Sequence, residues 1–196
     1  MPSPLTLVSV LWGAWLVSWV AAARWTAPTR MRQTVTERLA YTALLLAGVA
    51  LLVGHPIWLA RRVARLDGAV EWGAVALVAA GFAFAWWARL HIGRQWSSDV
   101  ALKAGHELVR SGPYRITRHP IYTGLLLAIA ATAILRDTWA GVLGLGLILA
   151  SFLVKIGQEE RLLTSHFGPS YELYRQEVPR LLPWPRRRSG AEQEPR

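Results

Sequence analysis

The sequence predicts an all-α, polytopic membrane protein with about five transmembrane helices. Three observations predict it. Hydrophobic residues make up 53% of the 196 residues and charged residues only 17%, and the mean hydropathy is +0.27. The apolar residues lie in long charge-free blocks, without the period of a water-soluble core. Several of these blocks approach the roughly 20 residues needed to cross about 30 Å of hydrocarbon. These features exclude a disordered chain, a nucleic-acid-binding tail protein and a conventional soluble α/β enzyme. With no cysteine, a disulfide framework, a thiolate metal site and a Cys nucleophile are excluded as well.

The first span covers residues 4–23, without a charge. A cleaved leader is the alternative, since Ala21-Ala22-Ala23 resembles a cleavage site. No positive side chain precedes the block, however, and its apolar run exceeds the usual 7–15 residues. The second span covers 39–60, with His55-Pro56 near its end; the third covers 69–88, with Glu71 at its edge. His55 and Glu71 read as interfacial. Residues 121–135 and 138–154 form two shorter spans separated only by Arg136-Asp137, a tight helical hairpin. Less apolar turns carry the fifth span to about 157. Gly141, Gly144 and Gly146 in that span read as sites of close helix packing. Residues 158–178 form one or two cytoplasmic helices, broken at Gly168-Pro169. Residues 1–182 make one membrane domain, and 183–196, with three consecutive arginines, a disordered tail near anionic headgroups.

Orientation follows from charge. Of the 22 Lys and Arg residues, eighteen fall in the connections after spans one, three and five; four (Arg61, Arg62, Arg65 and Arg136) fall on the other side. The positive-inside rule places the eighteen in the cytoplasm and the N-terminus outside. Trp25, Trp58, Trp72, Trp86, Trp87 and Trp139 near span ends read as an interfacial belt. The formal charge of +10 is therefore topology, and no nucleic-acid partner is implied.

The chemistry concentrates in the cytoplasmic motif segment 89–120 and beyond span five. Arg118-His119-Pro120 closes the segment at the mouth of span four, where Pro120 suits the first helical position and a helix N-terminus directs donors at an anion. Tyr122 follows within the first turn. Span five runs out of apolar residues at Lys155, which shares a helix face with Glu159 four residues on. Because spans four and five are antiparallel, the His119 end and the Glu159-Glu160 end return to one membrane face. Two remote clusters thereby meet. Singly, each residue has a plainer reading: a structural histidine, a snorkelling lysine, a solvated acidic pair. No Walker loop, GxGxxG after a strand or HExxH pair is present, and no metal site is implied.

The combination resembles the isoprenylcysteine carboxyl methyltransferase family, membrane enzymes that use S-adenosyl-L-methionine. The likeness is carried by Arg118-His119-Pro120-Ile121-Tyr122-Thr123-Gly124, the hairpin and Glu159-Glu160. Upstream stand His106-Glu107-Leu108-Val109 and Ser111-Gly112-Pro113-Tyr114; downstream stand Phe167-Gly168, Tyr171, Tyr174, Val178 and Pro183. The resemblance implies a cytoplasmic pocket for S-adenosyl-L-methionine lined by His106, Leu108, Val109, Tyr114, His119, Pro120, Tyr122 and Glu159, with Glu160 close by. It also aligns Lys155 with the family's acceptor-binding arginine, keeping the charge without the bidentate fork. Lys155 and Arg118 would then hold the acceptor's negative oxygen. A carboxylate acceptor is already ionised at neutral pH and needs no general base, which suits a site without one. The resemblance therefore points to carboxyl O-methylation of a prenylcysteine-like or other lipophilic anionic acceptor entering from the lipid. A phospholipid amine or small thiol as acceptor, or a non-catalytic membrane module, are the alternatives.

Overall fold

A serine hydroxyl starts the first helix. In the computed structural model, which describes residues 2–182 apart from 33, 55, 56, 65 and 104, and the backbone alone at 30–32, Ser3 Oγ accepts the Thr6 N–H at 3.2 Å. Helix α1 follows over Pro4–Ala22 with Val8 as its buried residue, while Val17 is 73% exposed. A helix apolar on every side yet covered on so little of it has hydrocarbon as its solvent. His55, Arg65 and the tail 183–196 lie outside the described residues.

Strand β1 (Thr29–Arg32) leads to α2 (Val35–Val53), which opens on a capping box. Thr34 Oγ1 accepts the Glu37 N–H at 3.3 Å, and the Glu37 carboxylate accepts the Thr34 N–H at 3.0 Å. The second span therefore starts earlier than position 39 and stops well short of 60. Gly54 turns to extended backbone as its cap, and Ile57–Leu59 forms a separate 3-10 turn in which Ile57 is fully exposed. Helix α3 (Gly68–Ile92) is capped by Asp67, which accepts the Val70 N–H at 2.9 Å. It runs a turn past the expected 88 and ends at Gly93, where φ +58° is free of a Cβ clash.

Beyond it, β2 (Ala101–Lys103) pairs antiparallel with β1. This two-stranded clamp is absent from the all-helical reading, because strands of three and four residues carry too little alternation to be seen. Helix α4 (Pro120–Arg136) and α5 (Trp139–Phe167) follow, then α6 (Pro169–Glu177). Helix α5 does not break at the expected end of the span near 157. Gln158, Glu159, Glu160 and Arg161 are good helix formers and continue the ladder of α5. Its 29 residues measure about 43 Å, so a layer of about 30 Å leaves roughly nine residues outside. Glu159 and Glu160 thus emerge at the rim.

Two glycine pairs set the helix spacing. A Cβ on Gly124 would stand 2.4 Å from the Gly81 carbonyl, bringing α4 against α3; one on Gly144 would stand 2.7 Å from the Gly48 carbonyl, bringing α5 against α2. Of the glycines expected to pack closely, Gly144 does, Gly141 sits at the hairpin turn near the Ala133 carbonyl, and Gly146 meets nothing within 4 Å. The hairpin helices lean more on α3 and α2 than on each other. Its turn is nonetheless short. Asp137 takes the left-handed conformation at φ 48°, which aspartate tolerates, and accepts the Ala64 N–H on its carboxylate at 2.8 Å. Val78, Phe82, Ala128 and Ala131 pack with Val8 of α1; Leu52, Ile129, Ile148, Phe152 and Ile156 form a second core. Trp12 adds a donor bond to Thr132 at 3.0 Å, tying α1 to α4.

Candidate active site

Pro120 begins α4 and leaves His119 as its N-cap, with its carbonyl accepting the Thr123 N–H at 3.0 Å and its side chain making no cap bond. The last turns of α5 stand opposite. Glu160, with 5% of its side chain exposed, accepts from Arg118 Nε at 3.0 Å and Nη2 at 2.8 Å on one oxygen, with His119 Nε2 at 3.3 Å from the same atom. Its second oxygen accepts from Arg180 Nη2 at 2.6 Å. Burial alone would raise this carboxyl's pKa, but the donors on His119, Arg118 and Arg180 hold it well below the ordinary carboxylate range. Glu160 is therefore ionised and fully occupied.

Glu159 differs. Its side chain is 21% exposed; one oxygen accepts from the Tyr122 hydroxyl at 2.6 Å, and among the described residues the other has only His119 Nδ1, at 3.5 Å. It retains acceptor capacity facing outward. His119 lies between the two carboxylates. Burial disfavours its charged form, yet both neighbours outweigh that and raise its pKa above the usual histidine value. Lys155 stands one turn back on α5. Its ammonium donates to the Ser98 carbonyl at 2.6 Å and lies 5.2 Å from the Tyr41 ring and 5.6 Å from that of Tyr122, a cation between two aromatic faces.

Arg118 has a different occupation from the one its sequence position suggests. Besides Glu160 it donates to the carbonyls of Arg175 at 2.9 Å and Val178 at 2.6 Å, and only 6% of its side chain is exposed. Its backbone N–H donates to the Pro179 carbonyl at 2.8 Å, that of His119 to Arg180 at 3.2 Å, and Thr123 Oγ1 to Leu181 at 2.8 Å. The segment after α6 is thereby strapped across the start of α4.

The remaining expected residues form a second group on the 105–115 segment. His106 Nδ1 accepts the Lys103 N–H at 3.4 Å, and its ring lies 5.7 Å from Phe167. Burial, with His166 and Lys103 nearby, lowers its pKa. Leu108 packs against Tyr171, Tyr174 and Val178, and Val109 beside it is half-buried. Tyr114 is buried; its ring stacks on His91 at 6.3 Å and its carbonyl accepts the Tyr174 hydroxyl at 2.6 Å. Its own hydroxyl is pushed up in pKa by burial and by Glu159. Buried Pro120 contributes the helix start. Tyr41, Ser98 and Arg180 were not legible as site residues. Tyr41 sits inside an apolar run, Ser98 acts through its backbone, and Arg180 is one basic residue among many. Tyr171 is buried with a hydroxyl that finds no partner among the described residues.

The same stretch of chain matches known proteins. Residues 74–165 match the profile of the isoprenylcysteine carboxyl methyltransferase (ICMT) family. The chain is 37% identical over 99 residues to the protein-S-isoprenylcysteine O-methyltransferase of Schizosaccharomyces pombe, covering 49% of this chain and 42% of that one. It is 41% identical over 86 residues to methanethiol S-methyltransferase 2 of Bradyrhizobium diazoefficiens, covering 42% and 32%. A methanethiol S-methyltransferase of Mycobacterium tuberculosis is 41% identical over 75 residues, covering 38% and 30%. The chain thus spans less than half the length of these curated relatives. Residues 74–165, which carry most of α3, the whole hairpin turn and both halves of the His119–Glu159 rim, are the part of the chain that is similar to the isoprenylcysteine carboxyl methyltransferase family.

Proposed function

We propose that this protein is a membrane methyltransferase that takes its methyl group from S-adenosyl-L-methionine and delivers it to a lipophilic, anionic acceptor of the prenylcysteine carboxylate kind. ICMT methyltransferases are in general dependent on this cofactor. The observation that carries the reading is the unequal pair: Glu160 is saturated by cations, whereas Glu159 beside it is partly open, with acceptor capacity to spare. A cationic cofactor bearing an ammonium group and ribose hydroxyls fits such a carboxylate. The aromatic and aliphatic side chains of Tyr114, Leu108 and Val109 suit a flat base.

When bound, the cofactor supplies an electrophilic methyl group on a sulfonium. The rest falls to the chain. Glu159 holds the cofactor's cationic or hydroxylated end. Tyr122 and His119 fix the Glu159 rotamer, and Arg118 with Glu160 fixes His119, so these last two act as positioning residues. Lys155, between Tyr41 and Tyr122, would attract the acceptor's negative oxygen. That oxygen would take the methyl group, an oxygen–carbon bond replacing the carbon–sulfur bond and the electron pair remaining with sulfur. No proton moves, so no general base is required. Positioning and exclusion of water are the main sources of rate for such a displacement. The basic connections favour the cytoplasmic leaflet as the working face.

A small thiolate is the second reading. Two of the relatives described above are named for methanethiol, and a lysine offers a point charge that serves a thiolate as well as a carboxylate. Purified protein in nanodiscs, incubated with labelled S-adenosyl-L-methionine and a farnesyl-cysteine analogue or methanethiol, tests both. Saturable cofactor binding that weakens more than tenfold in Glu159→Gln supports the site. Binding at full affinity in both Glu159→Gln and His119→Ala would refute it, and methyl transfer to one acceptor decides between the two readings.

A further inference from the structure

At the same rim, on the α1–α3 side, lies a cleft of about 480 Å³. That is within the size range of small-molecule sites. Its walls are the connection leaving α1 and the loop from α3 to β2, and they are held rigidly. The Ala27 N–H donates to the Arg94 carbonyl at 2.7 Å. Arg89, 1% exposed, donates to the carbonyls of Gly93 at 2.7 Å, Ala22 at 2.8 Å and Trp25 at 2.9 Å, with the Trp25 and Trp96 rings 5.3 and 4.6 Å from its guanidinium. A buried cation thus rivets the two walls together.

The lining is rich in hydroxyls and cations: Thr26, Thr29, Ser97 and Ser98 with Arg94 and Lys103. Lys103 Nζ donates to Thr29 Oγ1 at 3.0 Å and so stands at the cleft wall. Asp99, the carboxylate of this lining, is 3.6 Å from Arg38, which offsets its charge. The balance is positive, with donors on several sides. A tetrahedral oxyanion meets these requirements better than a carboxylate or a neutral sugar, because it accepts from many directions at once. The cleft lies where α1 ends at Ala22 and α3 at Ile92, beside half-exposed Trp25. This is headgroup level for a helix of that length.

We propose that this cleft binds a phosphate group. The headgroup of an anionic phospholipid is the source nearest to it, and free phosphate is the other. The cleft adjoins the methyl-transfer site at Ser98, whose carbonyl accepts from Lys155, but the proposal does not depend on methyl transfer, since neither His119 nor Glu159 lines the cleft. The test uses the full chain in nanodiscs of phosphatidylcholine with and without phosphatidylglycerol, reading retained lipid by native mass spectrometry. The wild type retains phosphatidylglycerol in preference to phosphatidylcholine. Arg94→Gln, an exposed position, weakens retention about fivefold, and Arg94→Gln with Lys103→Gln about thirtyfold. Arg94→Lys keeps the charge and most of the binding. Displacement by inorganic phosphate assigns the site to the free ion; resistance to it assigns the site to the lipid. Equal retention of the two lipids by the wild type, or undiminished retention by Arg94→Gln, overturns the proposal.

Discussion

Glu159→Gln and Glu160→Gln change the same chemical group one residue apart, and the structure assigns them opposite consequences. Glu160 is the shared counter-ion of three donors, and two of them, Arg118 and His119, have side chains only 6% exposed. Neutralising it leaves Arg118 as a buried cation with carbonyl partners only, and an uncompensated buried charge costs about 3–5 kcal/mol. The Arg180 contact adds little, because that side chain is 43% exposed and water screens it. For a chain of this size each kcal/mol corresponds to about 2–4 °C in melting temperature, so Glu160→Gln melts roughly 6–20 °C lower. Glu159 is partly open, and an amide can keep the Tyr122 bond, so Glu159→Gln moves the melting point by no more than about 2–3 °C. Cofactor binding reverses the order, with Glu159→Gln losing more than tenfold. The eleven tryptophans make intrinsic fluorescence in detergent a direct readout of melting. Equal melting losses in the two variants, or a Glu160→Gln protein as stable as wild type, would refute the division of labour.

Three further outcomes follow from the same geometry. His119 carries a raised pKa in the folded protein, so its contribution is complete below the ordinary value of 6.5 and is lost as pH rises through the folded one; Glu160 is lowered, so its contribution is present above 4.5 and lost as pH falls. Melting temperature is therefore highest between about pH 5 and 6.5 and declines on the alkaline side, a decline that His119→Asn flattens. Gly124→Ala drives a Cβ to 2.4 Å from the Gly81 carbonyl and destabilises by roughly 1–3 kcal/mol, whereas Gly146→Ala, with open space around it, stays within about 0.5 kcal/mol of wild type in denaturation. Lys155→Arg restores a bidentate fork, so it raises turnover with a carboxylate acceptor relative to a thiol; an unchanged acceptor ratio would show that Lys155 does not meet the acceptor.

How far the sequence reveals this structure depends on which physical force left a mark on the residue order. Hydrocarbon as solvent leaves a strong mark, and the charge-free blocks locate every long helix. Caps sharpen the ends: Thr34 with Glu37 and Asp67 are readable signals that place α2 and α3 better than hydropathy does. The convergence of His119 with Glu159 follows from antiparallel topology alone. The β1–β2 clamp does not, because its order comes from pairing with a strand about seventy residues away. Nor does the strap at Pro179–Leu181, whose hold on Arg118 and Thr123 is made through backbone carbonyls that any residue possesses. The unequal roles of Glu159 and Glu160 were equally hidden. Adjacent identical residues on a helix point about 100° apart, and the positions of Arg118 and Arg180 decide which is saturated.

That asymmetry also explains why the hairpin helices are held by glycines against different neighbours. The hairpin arms do not pack chiefly on each other along their length. Instead Gly124 draws α4 onto α3 and Gly144 draws α5 onto α2. The two arms stay joined at one end by the Asp137 turn and at the other by the Arg118–Glu160–Arg180 ion network. The network closes one side of the rim, and Glu159 with Lys155 lines the other. A site made this way needs a buried ion cluster where an apolar contact would give equal or greater stability. What the charges contribute is direction: they fix His119 and the α5 rotamers at a membrane edge where side chains otherwise have lipid on one side and water on the other.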